Sequence, residues 1–287
     1  MNQGKLFIEL TRLTKPIGFM LLFWPCSWGL TLAYDFSNSL NKYFFYLILF
    51  FLGSVLMRSA GCIVNDIMDK EFDAKVFRTK NRPIASGKIS IKLGLVYTVI
   101  LCSLAFLVLI NFNFFTIILA LGSMPLAFTY PLMKRFTYWP QLFLGVTFNY
   151  GLILGWTAVK GDLEIVPILF YVGAIFWTLG YDTIYGFQDI QDDEIIGLKS
   201  TAIKFKSNPC AFLYISYSFF FISLLIIGFL INLNVFYFIF LVLIGLHMFY
   251  FQIYKLDFKD PSSCLKIFKS NNLVGFMVFI GLLVGKI

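Results

Sequence analysis

Long apolar stretches alternate with short polar segments along the whole chain. A helix needs about 20 residues to cross the roughly 30 Å hydrocarbon core of a bilayer. Nine stretches approach this length, at residues 17–34, 44–65, 93–110, 112–131, 140–159, 165–185, 210–231, 234–254 and 271–285. The last is short and the third and fourth nearly touch, so the pattern predicts eight or nine membrane-spanning helices.

The composition excludes a water-soluble protein. Of the 287 residues, 59% are hydrophobic and only 13% are charged, whereas about a quarter of the residues of soluble domains are charged. In lipid, a spanning segment must satisfy its backbone polar groups internally, as a helix does. We therefore predict an all-α polytopic membrane protein, with residues 1–287 forming one integral-membrane domain.

Lysine and arginine concentrate in one set of alternating loops. Nineteen of the 23 basic residues share a side with the N-terminus, whereas Lys42, Lys160 and Lys286 lie on the other side and Arg58 falls within the second span. Because cytoplasmic loops collect basic residues, this split predicts nine spans and a cytoplasmic N-terminus. The net charge of +8 then reflects topology, so the expected partner is the lipid bilayer and nucleic acid is not required.

The N-terminal segment lacks the pattern of a cleavable signal or of a presequence rich in Arg and Ser. Its first apolar run follows sixteen fairly polar residues and contains Trp24, Pro25 and Trp28. These features predict insertion into a bacterial cytoplasmic (inner) membrane. The five cysteines are scattered without a CxxC pair, which argues against a disulfide framework or a zinc site.

The segment NDIMDKEFD, residues 65–73, forms a first acidic cluster at the end of the second span. Asn65, Asp69 and Asp73 recur at every fourth position, and Asp66 precedes Asp69 by three. Residues three or four apart share one face of a helix. The spacing predicts one continued helix that presents three carboxylates and an amide together.

The segment YDTIYGFQDIQDDE, residues 181–194, forms a second acidic cluster at the end of the sixth span, on the same side. Asp182, Asp189 and Asp193 lie at i, i+7 and i+11, so a continued helix would place them on one face as well. Like charges on one face repel, so two such faces require cations between them. Neither cluster offers His or Cys, and carboxylate ligands favour Mg²⁺, which commonly bridges carboxylates to a phosphate.

Basic segments accompany both clusters. AKVFRTKNRPIASGK follows the first cluster, LKSTAIKFK follows the second, and MKRF enters the same side at residues 133–136. Their Arg and Lys side chains suit a diphosphate, although topology alone accounts for basic loops as well.

Eight glycines within the spans predict close contacts between helices: Gly61, Gly94, Gly122, Gly145, Gly151, Gly155, Gly173 and Gly180. Pro25, Pro125 and Pro131 predict kinks.

The two acidic clusters resemble the aspartate motifs of the UbiA superfamily of membrane prenyltransferases. NDIMDKEFD is similar to its NDxxDxxxD motif, and Asp189 to Asp193 is similar to its DxxxD motif. The flanking segments MRSAGCIVNDIMDKEFDAKVFRTKNRPIASGKIS, YPLMKRFTYWPQ and YDTIYGFQDIQDDEIIGLKSTAIKF resemble the 4-hydroxybenzoate polyprenyltransferase branch. The resemblance covers most of the chain.

This resemblance implies nine helices around a central cavity, roofed by the loops that carry the motifs. It implies Mg²⁺-dependent transfer of a polyprenyl group from polyprenyl diphosphate to the ring carbon ortho to the hydroxyl of 4-hydroxybenzoate, in ubiquinone biosynthesis. The implied metal ligands are Asp69, Asp73, Asp189 and Asp193, which would act in catalysis with Arg135, a candidate for the carboxylate or the diphosphate. The expected substrate-binding residues are Asn65, Asp66, Arg58, Tyr130, Lys134 and Asp182.

Two alternatives stay open at the level of sequence. A relative within the same superfamily could use another acceptor, such as a naphthoate, haem or a chlorophyllide. A transporter would place acids near the middle of several spans, whereas the acids here gather at span ends.

Overall fold

The computed structural model describes residues 3–287, which form helices and no strand. The helices are α1 (Gln3–Thr11), α2 (Ile17–Ala33), α3 (Leu40–Met68), α4 (Lys70–Asp73), α5 (Ile91–Leu109), α6 (Phe114–Thr129), α7 (Met133–Phe136), α8 (Pro140–Lys160), α9 (Ile165–Gly186), α10 (Ile190–Ile195), α11 (Thr201–Lys204), α12 (Pro209–Leu230), α13 (Val235–Gly245) and α14 (Pro261–Lys286). A 3₁₀ turn, Tyr130–Leu132, joins α6 to α7, and a π-helix, Leu246–Tyr254, extends α13. The predicted all-α class is confirmed.

Within residues 3–287, eight helices are long and apolar enough to cross a membrane. A shorter apolar helix, α2, stands where the first span was expected. The predicted count of nine depends on this 17-residue helix and, like the side that the N-terminus faces, stays a prediction.

The last helix begins earlier than its hydropathy indicates, at Pro261 and not at residue 271. Asp260 caps it, because its carboxylate accepts hydrogen bonds from the backbone N–H groups of Ser262 at 2.9 Å and Ser263 at 3.2 Å. Such a cap satisfies donors that the first turn leaves unpaired. A polar first third of the helix is therefore compatible with helix formation.

The end of α14 also fixes the end of α2. Lys286 Nζ donates to the main-chain carbonyls of Leu32 at 2.7 Å and Tyr34 at 2.6 Å. The last carbonyls of a helix lack intrahelical partners, and a cation there also complements the helix dipole. This contact joins the first and last apolar helices.

Glycines let α2 and α8 approach until their backbones touch. A Cβ on Gly29 would lie 1.9 Å from the carbonyl oxygen of Leu152, and one on Gly155 would lie 2.3 Å from that of Cys26. Of the predicted packing glycines, Gly61 and Gly122 are the exceptions: a Cβ there would meet no atom of the described chain within 4 Å.

The prolines act in two ways. Pro25 and Pro125 lie inside α2 and α6, whereas Pro131 lies in the 3₁₀ turn between α6 and α7. The backbone therefore changes helix type just before Lys134 and Arg135, which places these two side chains on a short separate helix.

Candidate active site

The first acidic cluster lies where α3 gives way to α4. The α-helix ends at Met68, and Asp69 has φ −96° and ψ 7° before the chain resumes a helical turn. The i to i+4 hydrogen bonds continue through the break, from Asp69 N to Asn65 O at 2.9 Å and from Asp73 N to Asp69 O at 2.8 Å. The predicted uninterrupted helix is wrong, but Asp66, Asp69 and Asp73 are all buried as the spacing indicated.

The second cluster is broken in the same way. Helix α9 ends at Gly186, Asp189 precedes α10, and Asp193 N donates to Asp189 O at 2.9 Å. Asp182 lies inside α9 and so deeper in the protein than the two later aspartates. The continued helix predicted here is therefore also wrong, and only Asp189 and Asp193 belong to one turn.

Arginines occupy two carboxylates of the first cluster. Asp66 accepts from Arg12 at 2.5 Å and from Arg82 at 3.2 Å, and Arg82 also donates to Asp73 at 2.7 Å. Charged hydrogen bonds of this kind compensate burial of a carboxylate. Arg82 thus joins two positions of the first motif.

Arg12 reaches Asp66 through the fold of the N-terminal segment. Helix α1 packs Leu6 and Leu10 against Ile63 of α3. Arg12 follows directly, with a φ of 57°, a left-handed backbone conformation that is uncommon for residues other than glycine. This packing and turn bring a distant guanidinium to the first motif.

Asp69 is held from the segment that follows α6. Lys134 Nζ donates to Asp69 Oδ2 at 2.6 Å, while Arg135 lies 3.7 Å from Asp69 Oδ1 and donates to Met68 O at 2.6 Å. Asp69 Oδ1 is buried and has no hydrogen-bond partner in the described chain. Burial raises the pKa of Asp69, and the charge of Lys134 opposes that rise.

Arg78 holds the second cluster by a two-pronged ion pair with Asp189. Arg78 Nε donates to Asp189 Oδ1 at 2.7 Å, and its Nη2 donates to Asp189 Oδ2. The guanidinium also donates to the hydroxyl of Tyr185 at 3.3 Å. A bidentate pair fixes both position and orientation.

The two clusters form one site. Burial raises the pKa of Asp193 from 3.8 to about 6, the neighbouring Asp189 adds to the rise, and the charges of Lys134 and Arg78 oppose it. Lys134 donates to Asp69 of the first cluster, and its charge opposes the rise in the pKa of Asp193 in the second. A backbone hydrogen bond joins the same segments: Lys199 N, which follows the second cluster, donates to Lys134 O at 2.9 Å.

A deeper group of polar side chains lies beneath the aspartates. The guanidinium of Arg58 lies over the ring of Phe148, 5.3 Å from its centre, and interacts electrostatically with Tyr130 and Asp182. No ion pair within 4.0 Å joins Arg58 to Asp182 among the described residues. Four of the predicted substrate-binding residues therefore lie at two depths. Arg58, Tyr130 and Asp182 belong to the deeper group, and Lys134 lies beside the aspartates.

The sequence reasoning missed three arginines, Arg12, Arg78 and Arg82. The last two belong to a basic segment that was noted as a whole, but nothing in its spacing distinguishes them from their neighbours. Arg12 has no local signal, because its position depends on the packing of α1 against α3.

The oxygen donors of the site suit Mg²⁺ in chemistry. A buried carboxylate oxygen without a partner, Asp69 Oδ1, is the kind of atom that a hard cation satisfies. In the described chain, however, no three His, Cys, Asp or Glu side chains are grouped closely enough to hold a metal. Arg or Lys side chains pair with Asp66, Asp69, Asp73 and Asp189. The aspartates therefore fit the ion once they release the Arg and Lys side chains that they now contact.

Comparisons with known proteins identify the family of the chain. A family model described as the UbiA prenyltransferase family matches residues 22–280. The mitochondrial 4-hydroxybenzoate polyprenyltransferase of Bos taurus is 44% identical over 98% of this chain and 75% of its own length. The 4-hydroxybenzoate geranyltransferase 2 of Lithospermum erythrorhizon is 42% identical over 98% of this chain and 90% of its own length.

Solved structures share the fold. An apo UbiA homologue from Aeropyrum pernix has a TM-score of 0.77 and 22% identity over 92% of this chain and 97% of its own. A homologue from Archaeoglobus fulgidus bound to GPP and Mg²⁺ has a TM-score of 0.71 and 17% identity over 97% of this chain and 99% of its own.

The comparisons correct the predicted location. The bovine, fly and human relatives are mitochondrial proteins, so the prediction of a bacterial cytoplasmic membrane is wrong. Hydropathy and loop charge identify spans but do not distinguish two membranes of similar thickness. The family model and the full-length relatives together lead to one conclusion: the chain belongs to the UbiA prenyltransferase family.

Proposed function

We propose that this chain is a membrane-embedded 4-hydroxybenzoate polyprenyltransferase. It transfers the polyprenyl group of a polyprenyl diphosphate to the ring carbon ortho to the hydroxyl of 4-hydroxybenzoate, and it requires Mg²⁺. The observation that carries the proposal is that Arg78, from the segment after the first aspartate cluster, binds Asp189 of the second, while Lys134 binds Asp69 of the first. Relatives of 42–44% identity named for this reaction support the choice of acceptor.

Asp69, Asp73, Asp189 and Asp193 are the residues that would hold Mg²⁺. When bound, the ion would neutralise the diphosphate and stabilise it as a leaving group. Asn65 and Asp66 support this group from within α3: Asn65 O accepts from Asp69 N, and Asp66 orients Arg12 and Arg82 through its ion pairs.

The diphosphate is the natural ligand of the basic residues nearest the aspartates. Arg78, Arg82 and Lys134 each contact a carboxylate of the site. Arg135 is also at this level, because it donates to Met68 O and lies over the ring of Phe72, 5.0 Å from its centre. We therefore assign Arg135 to the diphosphate and not to the aromatic carboxylate.

The deeper group suits the aromatic acceptor. Arg58 belongs to this group and would bind the carboxylate of 4-hydroxybenzoate by paired hydrogen bonds. Tyr130 and Asp182 provide acceptors and donors for the hydroxyl at the other end of the ring. A carboxylate bound below and a diphosphate bound above would place the ring beside the allylic carbon, which is the positional contribution to catalysis.

Aromatic side chains beside the deeper polar group would exclude water from the place where the acceptor binds. The rings of Tyr130 and Phe148 meet edge to face with centres 6.4 Å apart. Water would quench the allylic cation that forms as diphosphate leaves, and ring faces stabilise a cation. The apolar tail of the donor would extend between helices into lipid.

The proposal is tested by a choice of acceptors. Membranes containing the chain receive polyprenyl diphosphate and Mg²⁺ with equimolar 4-hydroxybenzoate and 1,4-dihydroxy-2-naphthoate, and the prenylated products are separated by chromatography. We expect the product of 4-hydroxybenzoate to dominate. Prenylated naphthoate alone would retain the family chemistry but refute this acceptor.

A further inference from the structure

Three of the four aspartates assigned to Mg²⁺ are held by cations of the chain itself. Asp69 pairs with Lys134 at 2.6 Å, Asp73 pairs with Arg82 at 2.7 Å, and Asp189 pairs with Arg78 through both of its oxygens. None of these partners belongs to the helical turn of the aspartate it holds. The pairing is therefore a property of the folded site.

These cations pair with the carboxylates that are assigned to the metal. A buried carboxylate is costly unless a cation compensates it, and the side chain of Asp69 is only 1% exposed. Metal alone would have to displace Lys134 and Arg78 and leave both without an anion. Diphosphate alone would draw the same cations away and leave the carboxylates unpaired.

The metal and the diphosphate together remove both costs. Each carboxylate then gains a metal, and each released Arg or Lys gains a phosphate oxygen, so no buried charge is left unpaired. Because a coupling between two ligands is reciprocal, each must strengthen the binding of the other. The basic residues carry this coupling, since they change partner.

We propose that Arg78 and Lys134 pair with the metal-binding aspartates until divalent metal and diphosphate bind together. The two ligands then bind cooperatively, because the ion pairs exchange partners. This inference rests on the proposed Mg²⁺ and diphosphate chemistry. It adds a second role for two basic residues: they oppose binding of metal alone and favour binding of metal with diphosphate.

The two roles predict effects of opposite sign in one variant. In Arg78→Gln, Mn²⁺ alone should bind roughly tenfold more tightly, because Asp189 no longer has a competing cation. Mn²⁺ with inorganic pyrophosphate should bind this variant roughly tenfold more weakly. A tenfold change is within the usual range of coupling between two ligands. Arg78→Lys, which keeps the charge but loses the two-pronged geometry, should lie between the variant and the wild type.

The experiment measures protein-bound Mn²⁺ by equilibrium dialysis of purified protein, with and without pyrophosphate on both sides of the dialysis membrane, because pyrophosphate in solution also binds Mn²⁺. Lys206→Gln is the matched control, because Lys206 pairs with Glu194 at 2.5 Å where both side chains are exposed, and it should change neither affinity. Thermal unfolding of each variant establishes that it is folded.

Tighter binding of metal alone together with weaker binding in pyrophosphate would support the exchange. Unchanged or weaker binding of metal alone in folded Arg78→Gln would overturn it, as would wild-type protein that binds Mn²⁺ equally well with and without pyrophosphate. No acceptor or turnover enters this measurement. Failure of the exchange is thus distinguishable from failure of the proposed reaction, which would leave the coupling intact and yield no prenylated product.

Discussion

Ion pairs between distant segments determine the chemistry of the individual aspartates. The spacing of Asp69 and Asp73 along one helix indicates from the sequence that they share a face, and both are buried at one site. The counterions of the aspartates in the two clusters could not be predicted from spacing. Arg78 and Asp189, for example, lie in different loops, and only the packing of the helices brings them together.

Asp69→Asn should lower prenyl transfer at least about 100-fold, the usual scale for loss of one group that stabilises charge in a transition state. The substitution removes the charge needed for metal while keeping the shape of the side chain. Initial rates at saturating substrates provide the measurement. Glu71→Gln, an exposed position in the same segment, is the control, and a similar loss in both variants would show that the effect is not specific to the site.

Arg58→Met should raise the KM for 4-hydroxybenzoate at least about tenfold, since loss of a charged hydrogen bond costs about 1.5–3 kcal/mol. The KM for the donor should change little. Arg135→Met should show the reverse, because Arg135 lies beside Asp69. Steady-state kinetics with each substrate varied in turn decides the matter, and an effect of Arg58→Met on the donor alone would contradict the assignment of the deeper group.

Asp193 predicts a pH-dependent stability in the absence of metal. Its pKa is raised from 3.8 to about 6 by burial and by Asp189, so the folded protein favours the neutral carboxyl. That stabilisation is complete below pH 4 and is lost as the pH rises through 6. Asp193→Asn, which stays neutral, should therefore be more stable than the wild type at pH 7.5 by roughly 1–2 kcal/mol, after allowance for partial exposure.

Thermal unfolding in EDTA at pH 4 and pH 7.5 measures this difference. The two proteins should unfold at similar temperatures at pH 4, and the variant should unfold at a higher temperature at pH 7.5. Mg²⁺ added together with pyrophosphate should stabilise the wild type more than the variant. A variant less stable than the wild type at pH 7.5 in EDTA would show that the charge of Asp193 is favourable without metal.

At the scale of helices, hydropathy predicted where spans occur but not how they end. Each predicted apolar stretch contains a helix, because crossing lipid requires one. The breaks at Asp69 and after Gly186 are invisible to hydropathy, since polar residues lie on both sides of each break. The early start of α14 at Pro261 has a local cause in the Asp260 cap, which Asp-Pro-Ser-Ser could have signalled.

The contact between α2 and α8 should fail when its glycines gain a side chain. Gly29→Ala would place a Cβ 1.9 Å from a main-chain oxygen of Leu152, and the backbones must separate. We expect a loss of at least about 2 kcal/mol of stability, within the range for overpacking, measured as a lower unfolding temperature in detergent.

Gly122→Ala is the matched control, because a Cβ at Gly122 meets no atom of the described chain within 4 Å. Alanine is also the better helix former, so this variant should be as stable as the wild type or more so. Equal stability of Gly29→Ala and Gly122→Ala would contradict the close approach of α2 and α8.

Over the whole molecule, the long apolar stretches were sufficient to predict an all-α membrane protein, and the spacing of the aspartates was sufficient to predict carboxylates that share a helical face. The prenyl-transfer reaction was predicted from the resemblance of the motifs to the UbiA superfamily. The membrane in which the chain resides was predicted wrongly, because both kinds of membrane impose the same pattern. The length of the prenyl chain has no such pattern, and a relative of 42% identity is named for a geranyl donor.

The central claim is that the two aspartate clusters use a divalent metal to drive prenyl transfer to 4-hydroxybenzoate. The most direct measurement is the formation of prenylated 4-hydroxybenzoate from polyprenyl diphosphate by membranes that contain the wild-type chain, with Mg²⁺ and with EDTA. The account predicts product with Mg²⁺, none with EDTA, and recovery when excess Mg²⁺ is restored. Product formed at an equal rate in EDTA, or no product under any of these conditions, would contradict it.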